Sequence, residues 1–234
     1  MDKGNEACIL DNVFIAIPLF NEEQVVTEVI SALQKVFSNI VVVDDGSTDR
    51  SNKLLCDLGV TVISHAVNLG QGAAIKTAFE YISTIEDAFA VVTFDADGQH
   101  SVRDAEKLAS EIICCKEDVI FGSRFSGKVA DVPMVKRLIL KFATYITNFI
   151  TGMHLTDTHN GLKALKVSAV RKLNIDISGY AFESQLIMQV SKHKLHYKEM
   201  PTHVYYTEYS IKKGQSIRNS LIIVEDIINL WRMR

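Results

Sequence analysis

Two aspartates one residue apart, Asp95 and Asp97, followed by Gln99, stand directly after the apolar run Ala88-Phe-Ala-Val-Val-Thr-Phe94. Carboxylates so spaced at the end of a buried strand can share a hard divalent cation. Mg²⁺ or Mn²⁺ suits such oxygen ligands, with Gln99 adding a neutral oxygen and substrate phosphates completing the shell. Acids are also common at turns and helix starts, so it is the preceding apolar run that favours a cation site over a simple cap.

Three more polar loops follow predicted strands, the first two of them acidic: Pro18-Leu-Phe-Asn-Glu22, Asp44-Asp-Gly-Ser-Thr-Asp49 and Asn68-Leu-Gly-Gln-Gly72. If all four lie along one edge of a sheet, their acids repel unless a cation or hydrogen-bond donors sit among them. In Asp44–Asp49, Gly46 suits the turn and Ser47 or Thr48 suits an N-cap of the following helix. That leaves an aspartate able to accept hydrogen bonds from a base N–H or a ribose hydroxyl. The stretch Gly70-Gln-Gly72-Ala-Ala-Ile-Lys-Thr77 has Ile75 where a Walker phosphate loop needs glycine, so its glycines read as a tight entry into a helix.

The elements that must position these loops are legible from periodicity. Apolar runs suited to buried strands fall at Val13–Ile17, Ile40–Val43, Val60–Ile63, Phe89–Phe94 and Val119–Phe121, with helical patterns at Glu22–Phe37, Asp49–Leu58, Gly70–Ile82 and Val102–Ile113. Such alternation predicts an α/β fold with right-handed crossovers and a mostly parallel central sheet flanked by helices. Ligands of such sheets bind at the carboxyl ends of the strands. Beyond residue 122 the pattern changes. A long helix is expected from Asp131 to about Gly152, strands near Leu162–Lys166 and Tyr197–Met200, and a helix over Ala181–Lys192. An edge strand at Val204–Tyr206 and a final helix from Ile217 to about Met233 complete the reading. The expected organisation is one catalytic domain over 1–234. Its parts are a nucleotide-binding half (13–122), an acceptor-side half (123–216) and a C-terminal amphipathic helix (217–234).

The 234 residues are 47% apolar with mean hydropathy +0.12, and this composition excludes collagen-like, disordered and disulfide-scaffold classes. A net charge of −3 hides an asymmetry: residues 1–120 carry 8 basic and 20 acidic side chains, residues 121–234 carry 17 and 8. An acidic half able to hold a cation precedes a basic half able to meet anions. Nucleic acid is not the expected partner, because no aromatic stripe alternates with the bases and the pI is near 6.2. Cys8, Cys56, Cys114 and Cys115 form no CxxC pair and read as reduced, mostly buried thiols. His154 with His159, or His193 with His196, lack a metal-site pattern and read as surface or core histidines.

In order and spacing, PLFNE, DDGSTD, NLGQG and DADGQH resemble the family 2 inverting glycosyltransferases with the GT-A fold. Gly122-Ser-Arg124, Asp157-Thr-His-Asn-Gly161 and Gly179-Tyr-Ala-Phe-Glu183 are similar to the branch of dolichol-phosphate mannosyltransferase and bacterial polyprenyl-phosphate glycosyltransferases. The resemblance spans about residues 13 to 216. It implies a nucleotide-sugar donor (a GDP- or UDP-hexose), a divalent metal and inversion at the anomeric carbon. Carried over by position, it puts Pro18, Phe20 and Glu22 along base and ribose, and Val43 and Asp45 at the base edge. Asp95 and Ala96 would lie against the nucleotide, Asp97 and Gln99 (with Asp95) would hold the metal, and Arg124 would meet a phosphate. Where the branch has Arg-x-x-Gly-x-Ser-Lys, this chain has Ile211-Lys-Lys-Gly-Gln-Ser-Ile217, which leaves Lys212, Lys213 and Ser216, with Arg218 nearby, to bind phosphate or acceptor.

The expected reaction is an in-line displacement at the anomeric carbon with a nucleoside diphosphate leaving, and cationic groups stabilise the charge that develops on it. A hydroxyl acceptor needs a general base, for which Asp157 or Glu183 is the candidate; a polyprenyl phosphate is already anionic and needs none. The expected acceptor is a dolichyl or undecaprenyl phosphate. The alternatives are a cell-surface polysaccharide hydroxyl and, in another class, an inactive nucleotide-sugar-binding protein. A sugar nucleotidyltransferase is disfavoured because PLFNE is not a Gly- and Arg-rich loop.

No apolar stretch reaches the roughly 18 to 20 uncharged residues of a membrane span, and the opening MDKGNEACILDN lacks a leader's basic and apolar run. Two helical stretches nonetheless have basic, amphipathic character suited to a bilayer interface. Pro133–Met153 carries Lys136, Arg137 and Lys141, and Ile217–Arg234 pairs Leu221, Val224, Ile228 and Trp231 with Arg218, Arg232 and Arg234. The expected location is cytoplasmic and peripheral at the inner membrane face, with a homodimer or a separate membrane-anchor subunit as possible partners.

Overall fold

The structure is a computed structural model that describes residues 10–126, 134–175 and 182–205, without the side chains of Val135 and Lys136. Seven strands form one sheet: β1 (Val13–Leu19), β2 (Asn39–Asp44), β3 (Thr61–Ser64), β4 (Ala90–Thr93), β5 (Val119–Ser123), β6 (Lys163–Lys166) and β7 (Tyr197–Pro201). Their spatial order is β3-β2-β1-β4-β6-β5-β7. Every strand is parallel to its neighbours except β6, which runs antiparallel between β4 and β5. The mostly parallel sheet expected from the alternating pattern is therefore present. The reversal at β6 was not legible, because orientation depends on where the chain returns rather than on the strand's own residues.

The helices are α1 (Val26–Leu33), α2 (Ser51–Cys56), α3 (Gln71–Ser83), α4 (Val102–Cys114), α5 (Met134–Thr151), α6 (Val167–Val170) and α7 (Phe182–Lys192). Burial on both faces explains why the strands read as continuous apolar runs. Val13, Ile15, Ile17, Val42 and Val92 pack under Ile30, Leu33, Leu55, Leu108 and Ile112 of α1, α2 and α4. Phe14, Ala16, Val41 and Val91 face Ile75, Phe79, Leu186 and Ile187 of α3 and α7.

Two local readings are corrected, and a third falls partly outside the described residues. Helix α2 starts at Ser51, so neither Ser47 nor Thr48 is its N-cap; Asp49 Oδ1 instead accepts the Ser51 N–H at 2.9 Å. Cys56 and Cys114, each the last residue of its helix, are exposed, and Cys115, just beyond α4, is half-buried against the core. Among the described residues, Val204 forms only an isolated antiparallel bridge to His100, with Tyr206 beyond them. The expected helix start at Asp131, the final helix from Ile217, and Lys212, Lys213, Ser216 and Arg218 also lie outside the described residues.

Candidate active site

The strand directions put all four loops at the carboxyl edge, where they are stitched together by their own polar groups. Asn21, in a left-handed turn at φ 54°, accepts the Thr48 N–H on its side-chain oxygen at 2.8 Å. Its own N–H donates to Ser47 Oγ at 2.9 Å, and the Glu22 N–H donates to Ser51 Oγ at 2.8 Å. The first loop is thereby fixed on the second: Pro18 pairs with Val43, Phe20 stands exposed, and Glu22 is buried.

Asp45, expected at the base edge, is buried and turned toward the third loop. Its carboxylate accepts the Leu69 and Gly70 N–H groups at 2.9 and 2.7 Å and lies 2.7 Å from His65 Nδ1. Gly70 precedes α3 at φ 96°, a backbone shape that favours glycine, which is the tight helix entry expected of that motif.

Asp95 and Asp97 follow β4, with Ala96 buried between them. Asp95 receives the Gln71 amide at 3.0 Å and faces His100 Nε2 at 3.0 Å. Burial alone would raise its carboxyl, but the His100 bond and the nearby Lys163 and Arg124 charges hold it below the usual carboxylate range. Asp97 has the opposite fate: burial and the Asp95 charge push it up to about 6, while its Oδ1 accepts the Gln99 N–H at 3.0 Å. Burial first and the like charge second disfavour the Asp97 carboxylate, a cost that a cation bound between the two aspartates would relieve. Among the described residues no three His, Cys, Asp or Glu side chains form a metal-holding group by themselves. Two half-buried carboxylates, one raised beside its ionised neighbour, have the oxygen chemistry of a hard divalent cation such as Mg²⁺ or Mn²⁺, whose other ligands would have to come from a bound substrate.

The loop before β6, residues 155–161, lies beside this pair. Asp157, buried, takes Arg124 Nε on Oδ2 at 2.6 Å and Nη2 on Oδ1 at 3.3 Å. The Arg124 and His159 N–H groups add bonds of 3.1 and 3.2 Å to the same carboxylate. Burial would push Asp157 up; the Arg124 guanidinium overrides that and keeps it below the usual range. Glu199, raised by its own burial, accepts the Thr156 and Asp157 N–H groups and fixes the loop from β7. Behind it Lys163 pairs with Glu183, both buried, and burial raises the Glu183 carboxyl.

Sequence reasoning did not single out His65, Gln71, His100, Lys163 or Glu199. Lys163 carried a usable signal, a lone cation within Leu162-Lys-Ala-Leu165, and Gln71 and His100 stand inside the NLGQG and DADGQH motifs; His65 and Glu199 are defined by contacts distant in sequence.

The model for the family described as Glycosyl transferase family 2 matches residues 14–173. An uncharacterized protein of Methanocaldococcus jannaschii is 34% identical, the match covering 93% of this chain and 91% of that one. The UDP-N-acetylglucosamine–dolichyl-phosphate N-acetylglucosaminyltransferase of Methanococcus voltae is 31% identical over 88% of this chain and 90% of its own. Among solved structures, glucosyl-3-phosphoglycerate synthase from Mycobacterium tuberculosis, in complex with Mg²⁺ and uridine-diphosphate, superposes with a TM-score of 0.74. It is 15% identical, over 98% of this chain and 83% of that one, a likeness that shows the shared GT-A fold.

Proposed function

The chain belongs to glycosyl transferase family 2, and from that premise we propose that it moves a hexose from a nucleotide sugar to a polyprenyl phosphate, inverting the anomeric carbon. The observation that carries the acceptor class is the state of Asp157. Its two oxygens receive four N–H groups and its proton affinity is depressed, so it is poorly suited to take a proton from a hydroxyl, and Glu183, the other candidate base, is buried and committed to Lys163. A phosphate acceptor needs no such base. The Methanococcus voltae relative, named for transfer to dolichyl phosphate, supports the same reading.

In this mechanism the first and second loops, with Pro18, Phe20, Glu22 and Val43, wall the base and ribose. Asp45 acts there by holding the third loop in place. Asp97 and Gln99, with Asp95, would hold Mg²⁺ or Mn²⁺, which when bound neutralises charge on the leaving diphosphate. Asp95 is kept ionised and in place by His100 and Gln71. Arg124, whose Nε and Nη2 are held by Asp157 and the His159 carbonyl, would contribute a fixed positive charge toward phosphate oxygens. An acceptor phosphate oxygen forms the new bond to the anomeric carbon as the bond to the diphosphate breaks, and the nucleoside diphosphate departs.

The test is a donor panel with Mn²⁺ and dolichyl or undecaprenyl phosphate in detergent, scored for glycolipid and free nucleoside diphosphate. A UDP-N-acetylhexosamine comes first, since the Methanococcus voltae relative is named for one, followed by GDP- and other UDP-hexoses. Metal-dependent glycolipid formation, absent in Asp97→Ala, is the expected result. Transfer to a glycan hydroxyl with none to lipid phosphate overturns the acceptor reading. Donor binding with no transfer to either overturns the assignment as an active transferase.

A further inference from the structure

Helix α5 presents an apolar face to solvent. Met134, Leu138, Phe142, Tyr145 and Phe149 are between 55% and 79% exposed, and they recur three or four residues apart. At about 100° per residue they fall within one arc of about 80°. Lys141 is exposed at the edge of that arc, Arg137 is half-buried beside it, and the helix contains no acidic residue. Five large apolar side chains in one exposed stripe exceed the scattered apolar residues of an ordinary surface.

The opposite face is committed. Leu140, Ala143, Thr144 and Thr147 are buried, Thr144 Oγ1 meets Thr158 Oγ1 at 3.1 Å, and Asn148 brackets Leu155 through its N–H and carbonyl. Helix α5 is thus fastened to the loop whose Asp157 holds Arg124.

We propose that the outer face of α5 is a membrane-docking surface that lies flat in the interface of an anionic bilayer. Charge selects this occupant. A second copy docked face to face about a two-fold axis would bring Lys141 and Arg137 toward their own equivalents, whereas an acid-free basic helix complements anionic headgroups. Aromatic and Met side chains supply the burial an interfacial helix needs, with the Tyr145 hydroxyl suited to the headgroup layer. No helix among the described residues is long and apolar enough to cross a membrane, so lying flat is the geometry open to α5. The inference deepens the lipid-acceptor reading and rests on it for its purpose: docking through α5 brings the Arg124 loop to the surface where a lipid phosphate is presented.

The test uses the full chain and vesicles of phosphatidylcholine, alone or with about a third phosphatidylglycerol, without polyprenyl phosphate. The wild type should co-sediment with the anionic vesicles. Leu138→Glu combined with Phe149→Glu should weaken this at least tenfold, with melting temperature and donor binding unchanged. Lys141→Glu should weaken it severalfold, and added salt should do the same. A conservative probe guards against misfolding: in a Trp231→Phe background, Phe149→Trp should shift its emission to the blue on anionic vesicles. Undiminished vesicle binding by the double variant, an unshifted emission from the Phe149→Trp probe, or loss of a dimer in place of vesicle binding overturns the proposal. The acceptor reading fails separately, because transfer in detergent needs no vesicle and vesicle binding here needs no acceptor.

Discussion

Gly161 passes so close to Asp95 that a Cβ on it would stand 2.0 Å from the Asp95 Oδ2 atom. The neighbour is the end of a side chain, but one that Gln71 and His100 already hold in place. Through this contact the 155–161 loop sets where the first aspartate of the Asp95–Asp97 pair can be.

Gly161→Ala should therefore act on the proposed donor site around Asp95, not on the core. Asp95 must leave its partners to make room, so Mn²⁺-dependent donor binding should fall at least tenfold while the far-ultraviolet spectrum stays native. Calorimetric titration with nucleoside diphosphate and Mn²⁺ checks this; unchanged affinity would show that the carboxylate can yield without cost.

Asp157→Asn separates a positioning role from a base. Removing one charge of a buried pair costs about 3–5 kcal/mol when the partner is left uncompensated, and Arg124 and Asp157 are both buried. The asparagine keeps some hydrogen bonds, so the variant should be less stable, with a raised acceptor KM. Its pH–rate profile should keep the wild-type shape. Loss of a single ionisation from that profile would instead make Asp157 the base.

Lys163 and Glu183 form a second buried pair. Lys163→Met leaves the Glu183 carboxylate without its cation and should destabilise the fold by about 3 kcal/mol or more. Adding Glu183→Leu should restore much of that loss, a coupling read by a double-mutant cycle in denaturant. Additive losses would show that the pair is not energetically joined.

His159 gives stability a pH dependence. Its burial lowers it from 6.5 to about 4, so between those values the unfolded chain holds a proton that the folded one refuses. Stability is therefore fully present above about 6.5 and is lost as pH falls toward 4, by about 3 kcal/mol at most. Asp97, raised to about 6, contributes the opposite slope over part of this range. The measurement is thus a difference: His159→Gln should lose less stability than wild type between pH 7 and 4. Equal losses would place the titration elsewhere.

The strand-and-helix alternation and the four polar loops, three of them acid-bearing, were legible in the order of amino acids alone. So was the family resemblance that the comparisons then showed. These are local quantities: the run Ile40-Val-Val-Val43 is apolar because both faces of β2 are covered, and Asp95 follows its strand within two residues. Contacts between residues far apart in the chain settled the rest. They turned β6 against its neighbours, brought Gly161 onto Asp95, closed Asp157 on Arg124 and set Glu183 against Lys163. The periodicity of Met134, Leu138, Phe142, Tyr145 and Phe149 marked an apolar face but not which side of α5 would be covered. That was settled by Thr144 and Asn148 binding the 155–158 loop, since a helix buries whichever face its neighbours can satisfy.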